Sequence, residues 1–234
     1  MNYDNVEIVI ARYNENLSWT LETPFNEFKY IVYNKGDNED FEKKNVKQII
    51  NLKNVGRECH TYIKHIVDNY DRLSNVLVFL PGSIDIDYKK WKGIMTLNGI
   101  KNNHCEKAFF LCHYEKSGVL DLFSEFKISN WCSTDSANAA KNNESKLTLS
   151  KLRPFRKWFL HNFGNIGVQH YNYNSVISID KRDILQHRKF RYEKFLNELS
   201  LSSSPEVVHY MERSWGALFH PIQHTKIFVT LDKL

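Results

Sequence analysis

Short apolar runs, each ended by polar or turn-forming residues, divide the first third of the chain. Near-continuous apolar runs are typical of strands buried on both faces of a parallel sheet, and they predict strands at residues 6–11, 30–33, 48–52 and 76–80. Apolar residues at helical spacing predict a helix from about residue 54 to residue 70. This order of elements predicts an α/β fold with a central, mostly parallel sheet flanked by helices.

The rest of the chain carries a less regular pattern. Strands are predicted at residues 108–114 and 175–179, and helices at residues 181–185, 190–199 and 205–219. Residues 133–150 are rich in Ser, Asn, Ala and Lys and carry almost no apolar signal, which indicates an active-site loop or a lid. With no repeat or long linker, we expect one domain over residues 1–234.

The charge and composition of the chain limit the kinds of molecule that it is expected to bind and the place where it is expected to act. The net charge of +5 is mild, and the basic and acidic residues are interspersed along the chain. This balance favours an anionic small molecule or a membrane-surface substrate over a long nucleic-acid track. The polar N-terminus does not resemble a signal peptide, and no apolar run approaches the ~20 residues of a membrane span. We therefore expect a cytoplasmic protein whose cysteines are reduced thiols: Cys59, Cys105, Cys112 and Cys132.

Two histidine–cysteine pairs invite a zinc prediction, at residues 104–105 and 112–113. The intervening strand would hold the two pairs ~20 Å apart, so we do not expect zinc.

Two aspartates follow the most strand-like run of the chain. Asp85 and Asp87 come after residues 76–80 and the Pro81–Gly82 break. Carboxylates spaced in this way can share one Mg²⁺ or Mn²⁺ ion that keeps open positions for phosphate oxygens. The alternative is an acidic surface turn neutralised by neighbouring lysines.

Polar residues also follow the first strand directly. Arg12 is a candidate to stack on or hydrogen-bond a base, and Asn14 and Glu15 are candidates to bind base or ribose hydroxyls. An exposed loop with a surface Arg–Glu pair is the alternative.

The start of the first helix is a candidate anion site. Gly56 lets backbone amides approach a phosphate, and Arg57 is placed to add a bidentate contact. Lys35, after the second strand, is a candidate to assist the same diphosphate. The alternative is a plain helix start in which Asn54 is the cap.

The last predicted helix carries charged residues on two faces. Glu212 is the best candidate for an acceptor-side carboxylate, either as a general base or to orient a hydroxyl, and Arg213 follows it as a second catalytic candidate. Glu206 and Asp180 are substitutes for Glu212. Ordinary salt bridges in a packed helix explain any one of these residues equally well.

Five segments resemble a known family. They are residues 8–19 (IVIARYNENLSW), 32–36 (VYNKG), 54–58 (NVGRE), 78–82 (VFLPG) and 210–215 (YMERSW). These segments resemble the glycosyltransferase-like proteins of large DNA viruses, which are similar to the sugar-nucleotide transferases of chlorella-type viruses and to related proteins of fungi and bacteria.

The resemblance implies a GT-A-like (Rossmann-like) fold and a transfer reaction. Residues 1–90 would bind a nucleoside-diphosphate sugar, with a UDP sugar the first choice, and the two aspartates would hold Mn²⁺ or Mg²⁺. Residues 91–234 would bind the glycan acceptor, whose hydroxyl receives the sugar. If the protein is viral, it would act in the host-cell cytoplasm. The rival functions are a metal-dependent nucleotidyltransferase or nucleotide hydrolase, and a non-catalytic sugar- or nucleotide-binding protein.

Overall fold

The computed structural model describes residue 3 and residues 5–128, 147–173 and 175–230. The strands are β1 (Val6–Arg12), β2 (Tyr30–Asn34), β3 (Val46–Asn51), β4 (Val76–Pro81), β5 (Phe109–Tyr114), β6 (His170–Tyr171), β7 (Ile177–Asp180) and β8 (Lys226–Val229). The helices are α1 (Arg57–Asp68), α2 (Asp87–Asn102), α3 (Val119–Leu122), α4 (Phe155–Phe163), α5 (Lys181–Leu185), α6 (Lys189–Leu199) and α7 (Val207–Leu218).

A five-stranded sheet lies at the centre of the fold, in the order β3-β2-β1-β4-β7. β1 pairs in parallel with β2 and β4, and β2 pairs in parallel with β3. β7 runs antiparallel to β4, so that Phe79 lies opposite Ile177. The prediction of an α/β fold with a mostly parallel sheet between helices is confirmed, and the sheet is mixed because of β7.

A smaller three-stranded sheet has the order β6-β5-β8. In it, β5 is antiparallel to β6 and parallel to β8. β8 was absent from the predicted elements, because all four of its residues are exposed and its short apolar run carries no buried-strand pattern.

Successive residues of the central strands face opposite sides of the sheet, as strand geometry requires. Val9 and Ala11 pack in a core with α1 and α7, whereas Ile8 and Ile10 pack in a second core with α2. The first core therefore contains residues from both the N-terminal and the C-terminal half of the chain. In that core the ring centroids of Tyr62 in α1 and Trp215 in α7 lie 6.1 Å apart.

Helix α2 was not predicted, and its pattern explains why. Leu97 and Ile100 are buried under the sheet, but Tyr88, Trp91 and Met95 are exposed on the other side of the helix. Apolar residues on both sides hide the one-faced periodicity that identifies a surface helix.

No helix within the described ranges is both long enough and apolar enough to cross a bilayer. The predicted loop at residues 133–150 lies mostly outside the described residues, as does Cys132.

His60 predicts how stability depends on pH. Burial, and then the positive charges of Lys35 and Lys64, lower the pKa of His60 from 6.5 to about 4. When the pKa of a histidine is lower in the folded protein than in the unfolded chain, the unfolded chain binds the proton more strongly. The free energy of unfolding therefore falls as the pH falls below the pKa of the unfolded chain. We expect the free energy of unfolding to fall by about 2 kcal/mol between pH 7 and pH 5 from this residue.

The measurement is urea unfolding of the wild type and of His60→Gln at both pH values. The variant should show a smaller loss between pH 7 and pH 5, since glutamine does not titrate. An equal loss in both proteins would contradict the assignment to His60.

Candidate functional site

The carboxyl ends of β1, β2 and β4 meet at one edge of the sheet, and glycines let the loops that follow pack together. A Cβ atom on Gly36 would lie 1.8 Å from the carbonyl oxygen of Tyr13, and one on Gly82 would lie 2.7 Å from Glu15 Oε2. The Gly82 amide also donates to the Ala11 carbonyl at 2.7 Å. This edge is where α/β proteins place their ligands.

Arg12 is buried below that edge, at 1% exposure. Its Nε donates to the Glu15 carbonyl at 2.7 Å, Nη1 donates to Asn34 Oδ1 at 2.6 Å, and Nη2 donates to Asn38 Oδ1 at 2.7 Å. The guanidinium carbon also lies 4.3 Å from the centroid of the Phe41 ring. Arg12 thus holds together the loop after β1 and the loop after β2. Its side chain is buried and cannot reach a base.

Asn14 and Glu15 lie at the surface of the same edge. Asn14 is exposed and its Oδ1 accepts from Asn38 Nδ2 at 3.1 Å. Glu15 is half-buried, and its Oε2 accepts from the amides of Tyr13 at 2.7 Å and Asn14 at 3.2 Å. Both residues remain candidates for ligand contacts, and Tyr13, at 49% exposure, adds an aromatic face that the sequence reasoning did not select.

Lys35 is buried and reaches the entrance of α1. Its Nζ donates to the carbonyl of Val55 at 2.6 Å and to that of Arg57. Burial lowers the pKa of Lys35 to about 8, against the opposing charge of Glu58. Lys35 therefore fixes the turn into the helix, where Gly56 and Arg57 both have positive φ values of 57° and 45°.

Gly56 has a packing role that differs from the predicted one. A Cβ atom there would lie 2.4 Å from the Leu199 carbonyl oxygen, and the Gly56 amide donates to the Ser202 carbonyl at 2.8 Å. The glycine thus backs onto the end of α6 and does not present its amide to a phosphate, which corrects the reason given for it. Asn54 is exposed before this turn, and no cap hydrogen bond from its side chain is formed.

Two glutamates and a serine meet beside Arg57. Ser175 Oγ donates to Glu58 Oε1 at 2.7 Å and lies 3.4 Å from Glu212 Oε1. Tyr62 Oη in turn donates to the Ser175 carbonyl at 2.9 Å. Burial raises the pKa of Tyr62, and the nearby carboxylates Glu58, Glu212 and Glu15 raise it further. Ser175 therefore joins Glu58 and Glu212 at the carboxyl edge.

Glu212 lies beside a histidine and an arginine of the same helix. Its Oε2 lies 3.6 Å from His209 Nδ1 and 4.0 Å from Arg213 Nη1. Burial alone would raise its pKa, but His209, Arg213 and Arg57 together lower the pKa of Glu212 to about 2. The carboxylate therefore stays ionised over the whole physiological range, which suits a hydrogen-bond acceptor better than a proton acceptor.

Arg213 lies among aromatic rings behind Glu212. Its guanidinium carbon is 3.7 Å from the centroid of Phe126 and 5.2 Å from those of Phe123 and Tyr173. Nη1 donates to the His209 carbonyl at 2.8 Å, while Nε is buried without a hydrogen-bond partner among the described residues. Arg213 is 4% exposed, so it is placed to act on Glu212 and not directly on a substrate.

Asp85 and Asp87 lie at the same edge, beyond β4. Asp85 is in the turn after β4 and Asp87 is in the first turn of α2, and both are exposed. The described residues form no group of three or more His, Cys, Asp or Glu side chains that could hold a metal. Two carboxylates alone fit a Mg²⁺ or Mn²⁺ ion that takes its other ligands from phosphate and water. The metal site stays a prediction.

The sequence signature of one protein family, described as a protein of unknown function (DUF3431), matches residues 8–227. The chain belongs to the DUF3431 family. No curated protein matches it. The matched range of this DUF3431 protein runs from β1 to β8 and includes all of the residues placed at the carboxyl edge.

The two substitutes for Glu212 lie elsewhere in the DUF3431 chain. Asp180 caps α5 and pairs with Arg182, and it lies opposite Val76 at the amino end of β4. Glu206 is fully buried and accepts from the amides of Ile128 and Ser150 at 3.2 and 3.0 Å. Among the described residues, Asp180 and Glu206 make these contacts away from Glu212.

Glu58 and Ser175 were not selected from the DUF3431 sequence. Glu58 has the features of an ordinary first-turn glutamate, and Ser175 begins a predicted strand. The one signal in the sequence is that Glu58 follows Arg57, whose positive charge is unfavourable at a helix N-terminus and is a reason to expect a ligand there.

Proposed function

We propose that this protein is a glycosyltransferase, which moves a sugar from a nucleoside-diphosphate sugar, with a UDP sugar the first choice, to a glycan hydroxyl. The observation that carries the proposal is the meeting of Glu58 and Glu212 at Ser175, at the carboxyl edge of the sheet. The strand order, with one antiparallel strand beside β4, supports a GT-A-like arrangement.

The donor nucleotide would lie along the edge formed by β1 and β4. Tyr13 offers an exposed ring on which a base can stack, and Asn14 and Glu15 offer acceptors for ribose hydroxyls. Asp85 and Asp87 would hold Mn²⁺ or Mg²⁺, which would neutralise the charge that develops on the departing diphosphate. Arg57 begins α1 at this edge and would support that diphosphate from the protein side.

The acceptor would lie on the α7 side of this edge. Glu212 stays ionised and is 20% exposed, so it can accept a hydrogen bond from a sugar hydroxyl and fix its direction. A nucleotide hydrolase would need no second group of carboxylates beyond the diphosphate site. This second group is what favours transfer to a hydroxyl over hydrolysis.

A thermal-shift screen of nucleotide sugars, with and without Mn²⁺, tests donor binding. A ligand at 100 times its Kd should raise the free energy of unfolding by about 2.7 kcal/mol. Metal-dependent UDP release that increases on adding a glycan acceptor is the result expected for a transferase. UDP release that ignores the acceptor would favour a hydrolase, and binding without turnover would favour a binding protein.

Changing Asp85→Asn together with Asp87→Asn tests the metal site. We expect UDP release to fall at least ~100-fold and Mn²⁺ to lose its effect on the thermal shift, since the ion would have no protein carboxylates left. Asp71→Asn with Glu106→Gln is the matched control, because both residues are exposed and lie towards the other edge of the sheet. Unchanged Mn²⁺ dependence in the first variant would remove Asp85 and Asp87 from the site.

A further inference from the structure

We infer that the outer face of α6 binds the surface of an anionic lipid bilayer. Phe190 and Leu201 would enter the bilayer, and the cationic side chains near them would contact the lipid head groups. The inference is independent of the proposed glycosyl transfer, because none of these residues belongs to the donor or acceptor site. It follows from where the most exposed apolar side chains lie and from the charges beside them.

The two most exposed large apolar side chains among the described residues lie at the two ends of α6. Phe190, in the first turn of the helix, is 73% exposed, and Leu201, two residues after its end, is 66% exposed. Contact between water and large apolar side chains is unfavourable. A surface that exposes both of them is therefore a candidate for contact with another apolar phase.

Helical spacing places these two side chains on one outward face. Phe190, Lys194, Asn197 and Leu201 follow one another at intervals of four, three and four residues, and all of them are exposed. Such intervals keep side chains on one side of a helix. The buried residues of α6 lie on the opposite side and pack in the first core: Tyr192, Phe195 and Leu199. Phe190 and Leu201 are about 16 Å apart along the helix axis.

Cationic side chains accompany the exposed apolar ones. Arg188 and Lys194 are exposed and Lys189 is partly exposed. None of the three forms an ion pair with another residue in the described part of the chain. Cations beside exposed apolar side chains complement a bilayer in which anionic head groups cover an apolar layer.

The acidic residues of α6 lie beside this face rather than on it. Glu198 is directed towards α4, where Trp158 Nε1 donates to its Oε1 at 3.0 Å and to its Oε2 at 3.1 Å. Glu193 is partly buried and lies outside the exposed row of residues. Helix α4, which packs beside α6 through Trp158, adds the exposed Lys157. The face therefore has an excess of positive charge.

The separation of the apolar side chains favours a bilayer over a protein or a nucleic acid. A protein interface buries a contiguous, densely packed centre, whereas Lys194 and Asn197 lie between Phe190 and Leu201. Single-stranded nucleic acid stacks its bases on aromatic rings, and a leucine offers none. Separate apolar side chains can each enter a bilayer while the polar residues between them stay among the head groups.

Sedimentation of the full chain with lipid vesicles, in the absence of nucleotide and metal, tests the inference. We expect the wild type to bind phosphatidylcholine vesicles that contain about 30% phosphatidylserine at least ~10-fold more tightly than vesicles of phosphatidylcholine alone. Raising the salt concentration from about 0.1 M to about 0.5 M should weaken this binding. Phe190→Ser with Leu201→Ser should weaken it at least ~10-fold. Arg188→Gln with Lys189→Gln should weaken it about 5-fold for each charge removed.

Trp91→Ser with Met95→Ser is the matched control. Both side chains are exposed on α2, which packs on the other side of the sheet, so we expect this variant to bind vesicles as the wild type does. The midpoint of urea unfolding, compared with that of the wild type, checks that each variant is folded.

Three results would overturn the inference: vesicle binding unchanged by Phe190→Ser with Leu201→Ser, equal binding of the wild type to neutral and anionic vesicles, or loss of binding in the α2 control alone. Tighter binding of the wild type to a single-stranded oligonucleotide than to anionic vesicles would do so as well. A wild type that binds the vesicles but not UDP would refute the proposed function and support the membrane surface.

Discussion

Replacing Gly36 with alanine is expected to lower the free energy of unfolding by about 2–4 kcal/mol and to abolish nucleotide binding. The new Cβ atom would lie 1.8 Å from the Tyr13 carbonyl oxygen and 2.6 Å from Asn14 Oδ1. The first of these is a backbone atom, so a side-chain rotation cannot relieve the overlap. The loops after β1 and β2 must separate, and the predicted ligand contacts of Tyr13 and Asn14 move with them.

Urea unfolding and thermal shift with UDP and Mn²⁺ measure the two effects of Gly36→Ala. Gly167→Ala is the matched control, because Gly167 has no heavy atom within 4 Å of the new Cβ position. We expect the control to change stability by less than ~0.5 kcal/mol. A Gly36→Ala protein as stable as the control would show that the two loops do not pack as described.

Replacing Asp183 with alanine is expected to lower the free energy of unfolding by about 3–5 kcal/mol. Asp183 in α5 is 1% exposed, and it accepts from the amides of Gln223, His224 and Thr225 at 3.0, 3.0 and 2.8 Å. Thr225 Oγ1 donates to it as well, at 2.7 Å. Alanine would leave the buried amide and hydroxyl of Thr225 without an acceptor and would remove the acceptor of the part-buried amides of Gln223 and His224. A buried donor left without an acceptor costs more than the net value of the bond that it had made.

Chemical denaturation measures the loss, and two comparison variants define its cause. Asp183→Asn keeps one acceptor oxygen and should lose less than Asp183→Ala. Asp121→Ala removes an exposed carboxylate that pairs with Arg156 at 3.3 Å, and should cost less than ~1 kcal/mol. A similar small loss for Asp183→Ala would mean that the turn before β8 is not held by this carboxylate.

The sequence predicted the central sheet well, because buried parallel strands are apolar on both faces and are visible as continuous runs. It also placed Asn14, Glu15 and Asp85 at the edge where the structure has them, since each follows a strand directly. It also predicted ligand contacts for Arg12 and Gly56, whose surroundings in the structure share one feature. Both residues have the right chemistry for a ligand, but the tertiary structure surrounds them with the protein's own loops and with α6.

The type of a residue at a strand end is therefore a weaker guide to ligand contact than its exposure to solvent. An arginine, a lysine or a glycine can contact a ligand, or it can hold the loops that shape the site. Only the surroundings of the residue in the folded protein distinguish the two roles. Lys35 illustrates this point, because its ammonium donates to the carbonyls of Val55 and Arg57 and so fixes the entrance of α1.

The sequence by itself determined that a parallel α/β sheet forms and which polar residues follow its strands. Only the tertiary structure decided that Glu58, Ser175 and Glu212 form one cluster. Ser175 lies 117 positions from Glu58 along the chain and 37 from Glu212. The antiparallel register of β7 against β4 carries Ser175 to the carboxyl edge, and the packing of α7 against α1 places Glu212 beside it. Contacts between distant segments depend on register and packing, which local patterns of apolar residues do not encode.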